Sequence, residues 1–254
     1  MTALSRRTFL AGLAAAGATA VNGPARAADA DALALLKAMG DTLAKARTMR
    51  FSTTTTMDVG GSSAEPAVFQ VAGKTRVLFA RPDRLRVQYG GVPATAELLS
   101  NGNATVVYLP RIGAKALLPS PTGGELTGFD ADRAVAPHAL FLPFVDIVTE
   151  RPGARFTADV RQARIVLRDM PVNGKPATVV FVATPQFQGE IWIGKRRPLP
   201  RRIVGTYTGR GAPTFSAATT YSGWSLDKPA PAADFTAAGS DTAKTVPFVQ
   251  LWKP

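Results

Sequence analysis

The sequence contains no cysteine and a single histidine, His138, in 254 residues. Without cysteine there are no disulfides, so packing alone must hold the fold. Zinc, copper and haem sites draw on Cys and His ligands, and one His cannot build such a cluster. His138 is left as one catalytic base or as a surface or capping residue. A charge switch near neutral pH also lacks its usual carrier. No apolar run reaches the roughly 20 residues that cross a bilayer as a helix. Nucleophile and nucleotide signatures are missing: there is no Gly-x-Ser-x-Gly, no Gly-x-x-x-x-Gly-Lys and no dinucleotide fingerprint before a helix. Ser225-Leu226-Asp227-Lys228 fits Ser-x-x-Lys, yet no Ser-Asp-Asn intervenes and Lys244-Thr245 lacks the glycine that should follow. Glutamate is scarce, and Glu97, Glu125, Glu150 and Glu190 fall in unrelated segments, where exposed strand or loop positions suit them. These absences predict a protein that is not an enzyme and carries no cofactor or metal.

An export signal is present. Ser5-Arg6-Arg7-Thr8-Phe9-Leu10 pairs two arginines with apolar residues, Ala and Gly dominate residues 10–21, and Ala25-Arg26-Ala27 is a small-x-small cleavage site. The pattern predicts a twin-arginine signal over residues 1–27, with an ordinary Sec signal as the other reading. Residues 28–254 then form one periplasmic domain with a substantial core. The whole chain has 30 Lys+Arg against 18 Asp+Glu. Residues 1–27 hold Arg6, Arg7 and Arg26 and no acid, leaving 27 basic and 18 acidic side chains, a charge of +9. Export excludes nucleic acid as the reason for that balance. Anionic lipid headgroups at the membrane surface, or a solvated basic surface with no partner, remain.

Residues 29–47 have helical spacing. Leu36, Met39, Leu43 and Ala46 recur every three or four positions, and Leu33 extends the stripe. Asp29 and Asp31 suit the start of this helix; Lys45 and Arg47 suit its end. The period then becomes two. Phe51, Thr53, Thr55, Met57 and Val59 share one face, and Leu85, Val87 and Tyr89 alternate with Arg84, Arg86 and Gln88. Strands are predicted over 50–59, 67–72, 74–80 and 85–89, with Gly73 separating the second from the third. Residues 98–109 form a hairpin about Asn101-Gly102, and 115–118 form a short strand. Residues 119–128 read as a Pro/Gly-rich loop. Residues 130–148 read as two short helical pieces broken by Pro137 and Pro143, with Leu140, Phe141, Phe144, Val145 and Val148 in one apolar stripe. Further strands are predicted over 165–168, 178–183, 189–193, 202–208 and 215–221, separated by turn residues. The tail from Asp234 is either a last strand or irregular. The fold class is α+β and mainly antiparallel β: about ten strands in an incomplete, half-open barrel, with helices over its concave face.

Several motifs, in order, resemble the LolA-like and LolB-like periplasmic lipoprotein-carrier fold. They are the leading helix and Thr-rich strand; Arg81-Pro82-Asp83-Arg84-Leu85-Arg86; and Leu98-Leu99-Ser100-Asn101-Gly102-Asn103 before Val106-Val107-Tyr108. Trp192-Ile193 with Pro198-Leu199-Pro200-Arg201 is more similar to a family of predicted periplasmic proteins, domain-of-unknown-function family 2092, in that superfamily. The resemblance implies an apolar cavity that accepts acyl chains of a lipid or lipoprotein, lined by Leu36, Met39, Leu43, Phe51, Phe141, Phe144 and Val148. It also implies that Arg81 bonds to the covering helices and holds them shut. The alternatives are a filled core and an Arg81 that only caps a turn. The implied function is a binding or carrier protein with at most peripheral membrane contact; the alternative is an envelope interaction or sensor module with an envelope protein partner.

Overall fold

The computed structural model describes residues 28–59, 69–91, 95–101, 104–118, 146–149, 151–208 and 215–251. Helix α1 (Ala30–Lys45) opens the described chain. Asp29 is its N-cap: the Asp29 carboxylate accepts from the Asp31 backbone N–H at 2.9 Å. Ala32, Leu36, Met39 and Leu43 form its fully buried stripe, while Leu33 is only half-buried.

Among the described residues, twelve strands follow in one unclosed, curved sheet. They are β1 (Thr48–Val59), β2 (Phe69–Ala80), β3 (Arg84–Gly91), β4 (Ala96–Asn101), β5 (Thr105–Leu109) and β6 (Ala114–Leu118), then β7 (Gln162–Val172), β8 (Lys175–Ala183), β9 (Phe187–Gly194), β10 (Pro200–Tyr207), β11 (Phe215–Leu226) and β12 (Lys244–Thr245). Their spatial order is β12-β6-β5-β4-β3-β2-β1-β11-β10-β9-β8-β7. All neighbours are antiparallel except β12, which pairs in parallel with β6. Two meanders of sequential hairpins are thus joined at the β1–β11 ladder, the long-range contact that makes one sheet of them. Among the described residues, the short helix α2 (Ala154–Thr157) is the second helix.

Three expectations are corrected. Gly73 does not break the sheet into separate strands: β2 runs through it in unbroken register with β1 and β3, Gly73 facing Thr55 and Gly91. The expected half-open antiparallel sheet of about ten strands is present, with twelve strands among the described residues, the two-residue β12 included. The tail is neither one strand nor wholly irregular; it holds β12 and two 3-10 turns, Ala232–Phe235 and Phe248–Gln250. Residues 146–147 form a turn and 148–149 a bend, so Val148 does not end a helical stripe. The rest of the stripe, with Phe141, Phe144, His138, Pro137 and Pro143, lies outside the described residues, as does the loop over 119–128.

The main core lies between α1 and the concave face. Alternation along each strand sends Met49, Phe51, Val77, Phe79, Leu85, Val87 and Leu98 inward to one cluster with Leu36, Met39 and Leu43. Gly40 lets the helix approach closely: a Cβ there would stand 2.9 Å from the Pro152 carbonyl oxygen.

Candidate functional site

Sequence-predicted site residues Leu36, Met39, Leu43, Phe51 and Val148 meet in the same buried cluster. Leu36, Met39 and Leu43 are all 0 % exposed and point from α1 at the sheet. Burying each such side chain contributes about 1.5–3 kcal/mol. Phe51 stacks on Trp224 with ring centroids 4.4 Å apart and packs near Tyr221 at 6.0 Å. Val148 and its neighbour Ile147 are buried in the same cluster.

Arg81 stands at the end of β2, half-buried, where α1 ends. Its Nε donates to the Ala46 carbonyl at 3.0 Å, its Nη2 to the Leu43 carbonyl at 3.3 Å and its Nη1 to the Thr149 carbonyl at 3.2 Å. The Leu43 and Ala46 carbonyls belong to the last turn of α1, which has no intrahelical donors for them. A cation at this end also suits the helix dipole. One guanidinium therefore ties the sheet, the C-terminus of α1 and segment 146–149 together. That segment is held a second time through α2: Arg155 Nε donates to the Asp146 carboxylate at 2.8 Å, and Gly153 N–H donates to the Asp146 carbonyl at 2.8 Å.

Sequence reasoning missed a large aromatic share of this interior. Phe156 of α2 meets Phe187 edge-on at 4.9 Å, Phe187 meets Tyr207 at 5.0 Å, and Tyr207 stacks on Phe215 at 5.0 Å. Burial pushes the Tyr207 phenol far above its usual range, and the nearby Asp146 carboxylate adds to that shift. Tyr221 is also raised, first by burial and then by Tyr207 and Asp146. Period-two alternation over 203–221 carried this signal.

The concave face also has a hydroxyl centre. Thr53 and Thr75 face each other across β1 and β2 with hydroxyls 2.5 Å apart, and Thr55 reaches Thr219 across β1 and β11 at 3.0 Å. All four are buried. Pairing lets hydroxyls sit inside at low cost, because a buried polar group without a partner costs far more than a bonded one.

The residues considered for catalysis are dispersed. Glu97 pairs with Arg86 at 2.9 Å, and Glu190 accepts from the Trp192 indole at 3.1 Å. Ser225 is the last residue but one of β11, and Asp227 follows the strand in a left-handed conformation, its carboxylate accepting from the Arg47 backbone N–H at 2.7 Å. Ser-x-x-Lys catalysis places its serine at a helix start; here the tetrapeptide is a strand end and connector. Glu125, Glu150 and His138 lie outside the described residues. Among the described residues, no three His, Cys, Asp or Glu side chains gather to hold a metal ion, and no helix is long and apolar enough to cross a membrane.

An unclosed antiparallel sheet wrapped on an amphipathic helix is an architecture with counterparts among solved structures. Lipoprotein LppX of Mycobacterium tuberculosis is 13 % identical, with a TM-score of 0.50 over 80 % of this chain and 99 % of that one. MucB, solved as the Pseudomonas aeruginosa MucA/MucB complex, is 14 % identical with a TM-score of 0.44; the match covers 83 % of this chain and only 62 % of that one. A LolA superfamily protein of Nitrosomonas europaea is 11 % identical with a TM-score of 0.37, covering 81 % and 97 %. No curated protein matches the chain. The chain shares its fold with LppX, and it belongs to the family described as predicted periplasmic protein (DUF2092), whose model matches residues 32–249. Its compartment is the periplasm.

Proposed function

We propose that this protein binds and carries the acyl chains of a lipid or lipoprotein between the concave face of its sheet and α1, without catalysing a reaction. The observation that carries the reading is the mode of attachment of the cover. Leu36, Met39 and Leu43 present a continuous apolar face to the sheet, and Arg81 latches both the end of α1 and Thr149 through three hydrogen bonds. Hydrogen bonds to carbonyls exchange readily with water, so such a latch can open without loss of the sheet. An acyl chain gains about 0.8 kcal/mol for each methylene leaving water, on the order of 10 kcal/mol for about sixteen carbons, against the ordering losses of binding. Phe141 and Phe144 complete the proposed lining, Arg81 gates it, and residues 1–27 are the twin-arginine signal that delivers the single domain 28–254.

The test is mass spectrometry of an organic extract of protein purified from periplasm, with titration of a fluorescent fatty acid into the delipidated protein. Co-purified acyl lipid and saturable binding that changes in Arg81→Ala are expected. Clean extracts together with no fatty-acid binding overturn the reading.

A further inference from the structure

We propose a second binding site, on the outer face of the sheet, for the phosphate group of an anionic ligand. Two grooves of about 330 and 480 Å³ adjoin there and share Ser52, Arg76 and Gln88. Their volumes lie in the range of small-molecule sites. Strand register sets the arrangement. Arg76 stands between Ser52 of β1 and Gln88 of β3, and Ser52 faces Ser222 of β11. Lys74, two residues before Arg76 and so about 7 Å along the same face, stands beside Thr54.

The polar groups at the two ends of this furrow differ. At one end each cation has a carboxylate: Arg50 pairs with Asp234 at 2.8 Å and Arg86 with Glu97 at 2.9 Å. Arg50 also donates to the Pro229 carbonyl and Arg86 to the Asp234 carbonyl, so the tail walls off that end. At the other end Lys74 and Arg76 have no carboxylate among the described residues, and the side chains of Ser52, Thr54, Gln88 and Ser222 make no hydrogen bond there either. Elsewhere the same strands satisfy their hydroxyls in pairs. Two like charges and four neutral donors along one furrow match a group with several anionic oxygens. Arg and Lys with hydroxyls are the usual donors to phosphate. Leu78 is the buried floor, and no large apolar side chain projects from the furrow to insert into a bilayer. The headgroup of an anionic phospholipid and a soluble phosphate ester share this chemistry.

The experiment titrates the purified protein with sn-glycerol 3-phosphate by calorimetry and sediments it with phosphatidylglycerol or phosphatidylcholine vesicles. Parent protein is compared with the double variant Lys74→Gln/Arg76→Gln and with Arg111→Gln, an exposed cation on the β5–β6 turn. Binding of glycerol phosphate identifies a soluble ester as source; binding confined to phosphatidylglycerol vesicles identifies a headgroup. In either case affinity falls at least tenfold in the double variant and is kept in Arg111→Gln. No binding in both arms, binding that persists in the double variant, or an equal loss in Arg111→Gln overturns the proposal. It stands whether or not lipid enters the interior.

Discussion

The two faces of the sheet around β1 and β2 both carry hydroxyl side chains, with opposite results. Inward, Thr53, Thr75, Thr55 and Thr219 are buried and bond to one another. Outward, Ser52, Thr54 and Ser222 make no side-chain hydrogen bond. Two outer cations differ from the inner one in the same way. Arg81, at the inner end, spends its guanidinium on three carbonyls, whereas Lys74 and Arg76 meet no acid among the described residues. One residue of offset along a strand moves a side chain from one chemistry to the other. The inner face is self-satisfied apart from hydrocarbon, so what it can accept is apolar; the outer furrow has donors to spare, so what it can accept is anionic.

Breaking the inner side gives the largest effect. Leu36→Ala removes a fully buried side chain from the helix–sheet contact and should cost about 2–5 kcal/mol in denaturant unfolding, with an equivalent loss absent for any outward side chain of β1. Alkaline pH strikes the same side. The phenols of Tyr207 and Tyr221 stay neutral in the folded protein above their ordinary value near 10. The unfolded chain loses these protons first as pH rises, so their contribution is complete below about pH 10 and declines above it. Melting temperature should drop steeply there, and less steeply in Tyr221→Phe. Arg81→Met leaves three carbonyls without their donor and should cost about 1–3 kcal/mol, read by unfolding of the delipidated protein. Thr75→Val should cost about 1 kcal/mol by orphaning the Thr53 hydroxyl, and the double variant Thr53→Val/Thr75→Val should recover most of it; a double variant worse than the single one would break the pairing account. The smallest effect belongs outside. Asp234→Asn cuts an ion pair whose side chains are 39 and 36 % exposed, and should change stability by about 0.2–1 kcal/mol.

Much of this contrast was legible in the sequence because strand alternation is local. The spacing of Phe51, Thr53, Thr55 and Met57 and of Leu85, Val87 and Tyr89 gave the inner face directly, and the helical stripe through Leu36, Met39 and Leu43 gave its cover. What escaped depends on partners distant in the chain. Gly73 looks like a strand break alone, yet inside a sheet it faces Thr55 and Gly91, and Tyr89 folds over it, its ring within 2.5 Å of where a Cβ would be. The β1–β11 ladder joins strands from opposite ends of the described chain, and no local pattern announces such a pairing. Helix α2 spans four residues, too few for a periodic signal. Lys74 and Arg76 read as ordinary solvated positions until register sets them beside Ser52, Gln88 and Thr54.

Entry of hydrocarbon into the interior is read by irradiating the protein with a photoactivatable fatty acid and locating the label by peptide mass spectrometry. Labels on inward residues such as Leu36, Met39 and Phe51, competed away by unlabelled fatty acid, are predicted. Labels confined to the outer face, or none above background, would contradict an interior that receives hydrocarbon.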